Sequence, residues 1–434
     1  MAMHRRQFLG GAAAAIVATS CYPARLHAQA QHIAWRAADA LPELRAMRDL
    51  PRRRTSMLGY PVNMNLHDEA FHTWREQLAH VGVDRFAFNN VGDPFQHGHF
   101  PFNTHALERE AILRCARDYA FDHDDAWGFL SNSGTDSNMH GMYMGRTILR
   151  GRTHRPVRAY FTREAHYSVH ILADLLGVEW IPVRTHPGGA MDERDLAHKL
   201  GEHPGEPALI VATIGTTFKG AVDDIDAINR AREGHQSYLH LDAALFGGYL
   251  PYTEHAQVLH QRRDGNDRYD SIAVSCHKFF GFPSPAGIYV TTRRVFDEFH
   301  RRFSDVHDPE YILQVPGTIT CSRDAAKAGE FLYFTTDHAH ETERRDARQI
   351  LDDTAYLLDQ LRARHPDLKP QRASPLSNTV YFRSPPDSIV HDYVLATATV
   401  ERGNGPAPHA HVVVMPHATR EVLDRFLEDL EVAR

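Results

Sequence analysis

The chain has 434 residues, 42% hydrophobic and 24% charged, with a formal net charge of -7. That size and composition suit a globular protein with a large and a smaller folded unit. They exclude a surface of clustered Lys and Arg for nucleic acid. The 31 histidines fall into no H-E-x-x-H spacing that would suggest zinc, and most of them read as exposed.

The first thirty residues read as a targeting segment. "HRRQFLGGAAAAIVATS" places Arg5 and Arg6 before an apolar, alanine-rich stretch, and Ala28 to Ala30 supply small residues for cleavage. This is the layout of a twin-arginine export signal. Lipid attachment at Cys21 is the lesser alternative, since Ala18 stands where leucine is usual. The stretch is too short and glycine-interrupted for a membrane span. Cys21, Cys115, Cys276 and Cys321 form no C-x-x-C motif and no disulfide framework.

Residues 31–66 are polar and arginine-rich and read as an N-terminal arm. From 67 to about 300, helical and strand-like segments alternate. "THALEREAILRCARDYAF", "NMHGMYMGRTIL" and "YSVHILADLLG" carry helical spacing; "AWGFLS", "VRAYFT", "VEWIPV", "PALIVATIG", "SYLHLDAAL", "SIAVSCHK" and "AGIYVTT" read as strands. Such alternation predicts an α/β fold with a mainly parallel sheet, whose chemistry gathers at the carboxyl ends of the strands. Residues 301–341 read as a linker and active-site loop. Residues 342–434 read as a small α+β domain: a long helix from Thr342, a strand "NTVYFRS", a helix "SIVHDYVLAT", a strand "HAHVVVMP" and a final helix.

Four strand ends carry polar residues that answer one chemical need. Ser133, Gly134 and Thr135 open a helix, where free N–H groups and the helix dipole suit a phosphate. His166 follows one strand, Asp242 ends another, and Lys278 follows a third in "VSCHKFFGFPSPAGI". Serine, threonine and aspartate also cap helices for structural reasons, and a lone histidine is commonly structural. Taken together, an amine, a carboxylate, an anion cup and a ring match what pyridoxal phosphate requires.

The stretches "GTDSNMHGMYMGR", "HYSV", "IGTTFKGAVDDI", "DAALFGG", "HKFFGFPSPAGI", "TITCSR" and "HVVVMP" resemble the group II pyridoxal-phosphate-dependent amino acid decarboxylases, in the branch of bacterial histidine and plant serine decarboxylases. The resemblance runs from about Gly59 to the C-terminus. It implies an aspartate-aminotransferase-type (fold type I) enzyme and a homodimer with active sites at the interface. It implies that Lys278 carries the cofactor, that Asp242 pairs with its ring nitrogen, and that Ala244 and His166 flank its ring. Ser133, Gly134, Thr135, Ser275 and His277 would hold its phosphate, with Thr216 nearby. Tyr311 in "DPEYI" is a candidate for returning a proton to the substrate, beside a structural reading of equal weight.

Relatives usually follow "SR" with Asn-Gly-His; this chain has Asp324, Ala325 and Ala326 there. A carboxylate at 324 near the substrate would favour imidazole, so histidine ranks first and serine second. The "VLAT" segment near Leu395 leans toward the histidine enzymes, and "HVVVMP" and "DAALFGG" lean toward the serine enzymes. The rival readings are a pyridoxal-dependent lyase or aminotransferase, for which Arg372 or Arg383 would bind a carboxylate, and a non-catalytic protein on a decayed fold.

Overall fold

The computed structural model describes Met47 and residues 50–305, 307–400 and 405–433. The export signal, Cys21 and half of the arm lie outside these residues. Residues Met1–Arg54 form one unit by contact and Thr55–Arg434 the other; the sheets and the site belong to the second.

Its centre is a seven-stranded sheet. The strands are β1 (Ala126–Ser131), β2 (Arg158–Thr162), β3 (Glu179–Val183), β4 (Ala208–Thr213) and β5 (Ser237–Asp242). A short hairpin, β6 (Arg262–Arg263) and β7 (Asn266–Asp267), precedes β8 (Ser271–Ser275) and β9 (Gly287–Thr292). The spatial order is β1-β9-β8-β5-β4-β2-β3. β9 alone runs against the rest, antiparallel to both β1 and β8. "ALIVAT" in β4 is buried at every position, the uninterrupted apolar run of a strand covered on both faces.

The helices are α1 (Glu69–His80), α2 (His105–Asp118), α3 (Gly134–Thr153), α4 (Tyr167–Leu175), α5 (Glu193–Gly201), α6 (Ile225–Ala231), α7 (Phe246–Tyr249) and α8 (Arg293–Ser304). They are followed by α9 (Ala325–Phe331), α10 (Asp337–Arg364), α11 (Asp387–Asp392) and α12 (Arg420–Val432). α3 lies close over the sheet because Gly141 permits it: a Cβ there would sit 2.4 Å from the His240 ring. That ring is buried between Asn138 Oδ1 at 2.9 Å and Ser271 Oγ at 2.8 Å. Burial holds its pKa down at about 3, so it packs as a neutral group.

The C-terminal region holds a three-stranded antiparallel sheet, β10 (Thr379–Arg383), β12 (Ala407–Val413) and β11 (Ala396–Val400) in that order. The helix expected over "SIVHDYVLAT" stops at Asp392. Val394 adopts φ 49°, outside the helical region, and the threonine-alternating "ATATV" pairs with β12 as an edge strand. α10 begins five residues before the expected Thr342, capped by Thr336, whose hydroxyl accepts from Ala339 N. Part of the expected loop at 301–341 is helical: Asp324 accepts from Lys327 N and starts α9.

Residues 57–65 of the arm thread between the two sheets. Val413 N donates to Leu58 O at 2.8 Å, and His411 Nε2 lies 3.0 Å from Gly59 O. At the other end, Asn63 N donates to Lys278 O at 3.1 Å and its side-chain amide to Phe279 O at 3.0 Å.

Beneath β1 lies a buried ion pair. Arg323 Nη2 is 3.0 Å from Glu108 Oε2, and both side chains are almost fully excluded from solvent. Removing one partner of such a pair strands the other charge, at a cost of about 3–5 kcal/mol. Arg323→Met is therefore expected to lower unfolding stability by about that amount, read by urea denaturation; a midpoint equal to wild type would contradict it.

Candidate active site

Parallel strands all deliver their last residues to one edge of the sheet. β1 ends at Ser131 and turns through Asn132 into α3. Ser133 Oγ accepts from Asp136 N at 3.2 Å, which leaves the N–H groups of Gly134 and Thr135 in the unpaired first turn. A Cβ on Gly134 would meet Ser275 Oγ at 2.3 Å, so only glycine lets the end of β8 approach this turn. The Asp136 carboxylate is committed elsewhere: it accepts from Asn132 N at 2.9 Å and from Thr320 Oγ1 at 2.8 Å.

His166, past the end of β2, caps α4. Its Nδ1 accepts from Ser168 N at 3.3 Å and lies 2.8 Å from Ser168 Oγ, which assigns the neutral ring's proton to Nε2. Burial lowers its pKa; the Asp242 charge opposes that and the Lys278 charge adds to it. Past β4, Thr216 Oγ1 accepts from Ala221 N at 2.9 Å and closes the "GTTFKGA" turn. That turn is clamped by buried Asp223, which accepts from Thr213 N at 2.7 Å and Met191 N at 2.6 Å. Burial pushes the Asp223 carboxyl up to about 6.

Asp242 ends β5 and is buried. Ala244 N donates to its Oδ1 at 3.3 Å, and Ala244 O accepts from Ser275 N at 2.9 Å, tying the two strand ends together. His277 Nδ1 lies 3.3 Å from Ala286 O. Lys278 follows, its backbone carbonyl held by Asn63 N and Gly281 N. Burial lowers the Lys278 pKa, partly offset by the Asp242 charge. A depressed amine pKa leaves more of the nucleophilic free base near neutrality.

A cavity of about 290 Å³ joins these groups. Ser133, Gly134, Thr135, His166, Thr216, Asp242, Ala244, Ser275, His277 and Lys278 all line it. Tyr311 does not: it is 83% exposed on a short 3-10 turn, Glu310–Ile312. Asp324 does not line it either; its carboxylate caps α9 and sits 3.9 Å from Lys327 Nζ. The lining also includes Pro61 and Thr379, which no sequence motif marks, and Val413, which falls within "HVVVMP". Asn138 and Ser168 also line it, and they lie within the "GTDSN" and "HYS" motifs, whose spacing from Ser133 and His166 offers a signal.

The donor set fits pyridoxal phosphate. The cup offers backbone N–H groups and hydroxyls with its one carboxylate, Asp136, engaged. A buried carboxylate at Asp242 suits a protonated ring nitrogen, and a desolvated lysine stands across the cavity. No arginine is among the described lining residues. Arg372 donates instead to Ser377 O and Pro375 O, and Arg383 is an exposed strand-end residue. The carboxylate clamp expected of an aminotransferase is thus not formed by either.

Known proteins resemble this chain. The pyridoxal-dependent decarboxylase conserved domain matches residues 119–293. Serine decarboxylase 1 of Oryza sativa subsp. japonica is 32% identical over 89% of this chain and 74% of that protein. Histidine decarboxylase of Solanum lycopersicum is 30% identical over 88% and 86%, respectively, and that of Pseudomonas entomophila 29% over 86% and 85%. The crystal structure of L-methionine decarboxylase from Streptomyces sp. 590 is similar at a TM-score of 0.75 and 24% identity, covering 91% of this chain and 94% of that one. At that identity the likeness establishes the fold, which is fold type I. Identity of this extent, over chains of matching length, places the protein in the family of pyridoxal-phosphate-dependent amino acid decarboxylases.

Proposed function

We propose that the chain removes the α-carboxylate of L-histidine to give histamine, with L-serine as the second candidate substrate. The observation that carries the reading is the composition of part of the cavity's lining. Pro61 and Val413 offer flat apolar surface, and Thr379 and Thr217 offer hydroxyls that both donate and accept. An imidazole has apolar faces and two nitrogens to satisfy, whereas a hydroxymethyl group needs one partner. The carboxylate at Asp324, expected to favour imidazole, gives no support, because it caps α9 away from the cavity. Serine keeps its place because the rice serine decarboxylases are 31–33% identical to this chain.

When bound, the cofactor's protonated ring supplies the sink for the electron pair left as CO2 departs. The chain's own residues arrange that event. Asp242 holds the proton on the ring nitrogen, and its burial strengthens the attraction. Lys278 supplies the amine that would anchor the cofactor. His166, neutral and fixed by Ser168, closes one face without adding a charge that would compete with Asp242. The Ser133–Thr135 turn and Ser275 hold the phosphate, so the ring does not rotate away from Asp242.

The resemblance to the family supports a homodimer. Beside His166, α4 also exposes Tyr167, Ile171 and Leu175 along one face, an apolar stripe that a second copy would cover. Sedimentation at the mass of a single chain would refute this. The Arg5–Arg6 motif supports export of the folded, cofactor-loaded protein. Replacing both arginines by lysine is expected to retain it in the cytoplasm; unchanged fractionation overturns export by this route.

Lys278→Ala is expected to abolish turnover and the visible absorbance of bound cofactor. Asp242→Asn should preserve cofactor binding but reduce kcat on the order of 10²-fold or more, as the loss of a preorganised charge does. Wild-type turnover in either variant would remove that residue from the site.

Incubation of the holoenzyme with each common L-amino acid, followed by identification of the amine, decides the substrate. Histamine is the expected main product. Ethanolamine would transfer the assignment to serine, and an aromatic amine would defeat both.

A further inference from the structure

A second concave site lies at the far end of α3. The helix begins at the phosphate cup, and Arg150 stands sixteen residues beyond Gly134, about 24 Å along the axis at ~1.5 Å per residue. There a cavity of about 530 Å³ is lined by Arg146, Arg150, His154, Arg155 and Arg158, with Glu179 as its one acidic residue. Glu179 is engaged by Arg158, which also pairs with Glu206.

The other three arginines have no carboxylate partner within ion-pair distance among the described residues. Arg146 donates Nη1 to Leu176 O at 2.7 Å and lies 4.8 Å over the Tyr143 ring, but its Nε is buried with no acceptor. Burial, and then the charge of Arg150, lower its pKa. Arg155 donates to Gly205 O at 2.9 Å. His154 brings the chain round in a left-handed turn, φ 54°, so that Arg155 faces the arginines of the helix.

The helix dipole accounts for a cation in the last turn of α3. It does not account for a half-buried guanidinium two turns from the end whose Nε meets no acceptor, or for like charges converging from α3 and the following loop. Such convergence sets like charges against one another around one concavity, and an anion seated there would relieve it. Guanidinium forks match the oxygens of phosphate in pairs.

We propose that this cavity is a binding site for a small phosphate-bearing anion, separate from the cofactor's phosphate cup. Arg146 forms its half-buried wall, and Arg150 and Arg155 its exposed rim. The site stands independently of which amino acid the enzyme decarboxylates.

The probe is inorganic pyrophosphate, titrated calorimetrically into the cofactor-loaded enzyme at constant ionic strength, so that the phosphate cup is already filled. Saturable binding with one site per chain is expected. Arg150→Glu, at an exposed position, should weaken binding at least tenfold while leaving melting temperature and basal turnover unchanged. Arg155→Ala should also weaken it. Unsaturable heats with wild type, or wild-type affinity in Arg150→Glu, would overturn the proposal.

Discussion

The geometry of this enzyme depends on the buried pair of Arg323 and Glu108. Two charges removed from water persist only when every remaining polar edge is satisfied, and here they are. Glu108 also accepts from Asn90 Nδ2 at 2.8 Å and from Leu130 N at 2.9 Å. Arg323 also donates to Gly92 O at 2.9 Å and Thr318 Oγ1 at 3.2 Å, and its guanidinium lies 5.3 Å over the Phe129 ring. Four separate stretches of chain meet at this point, and one of them is the β1 strand that ends in the phosphate cup. The same 318–323 segment then reaches α3 directly through Thr320 and Asp136. The cup is therefore positioned from below by a charge pair and from the side by a hydroxyl.

The cavity itself is electrically sparse. It holds one carboxylate, Asp242, and one amine, Lys278, with histidines whose pKa values burial depresses. His240, deeper under α3, is neutral for the same reason. Sparse charge lets a single carboxylate dominate the field at the ring nitrogen. More charge would blunt that control, and less would leave the ring proton unsupported.

Much of this is legible in the sequence because a parallel sheet maps local order onto spatial order. Each strand's last residues reach the same edge, so Ser133, His166, Asp242 and Lys278 are neighbours although about 145 positions separate the first from the last. What stays hidden lacks a local signature. Pro61 and Thr379 enter the cavity through long-range pairing of the arm and the C-terminal sheet. The helix expected at 388–397 is cut short by a left-handed Val394. Asp324 invites a catalytic reading, yet its spacing from Lys327 is that of a helix cap, and the structure uses it so. Nor does composition reveal which histidines are exposed: several, such as His240 and His411, are buried structural groups instead.

The thread of residues 57–65 also bears on how the protein is made. Leu58 pairs with Val413, and Asn63 pairs with the turn that carries Lys278, so the cavity wall draws on segments near both ends of the chain. A ribosome synthesises them in order, at roughly 5–20 residues per second. Until β12 has left the exit tunnel, the arm has no partner strand and the lysine turn lacks its backing. The sheet can form earlier in synthesis, but the pocket closes only once β12 is available to the arm. Contacts of such wide sequence separation also slow the final folding step. Completion of the cofactor pocket thus waits on β12 and not on the central sheet alone.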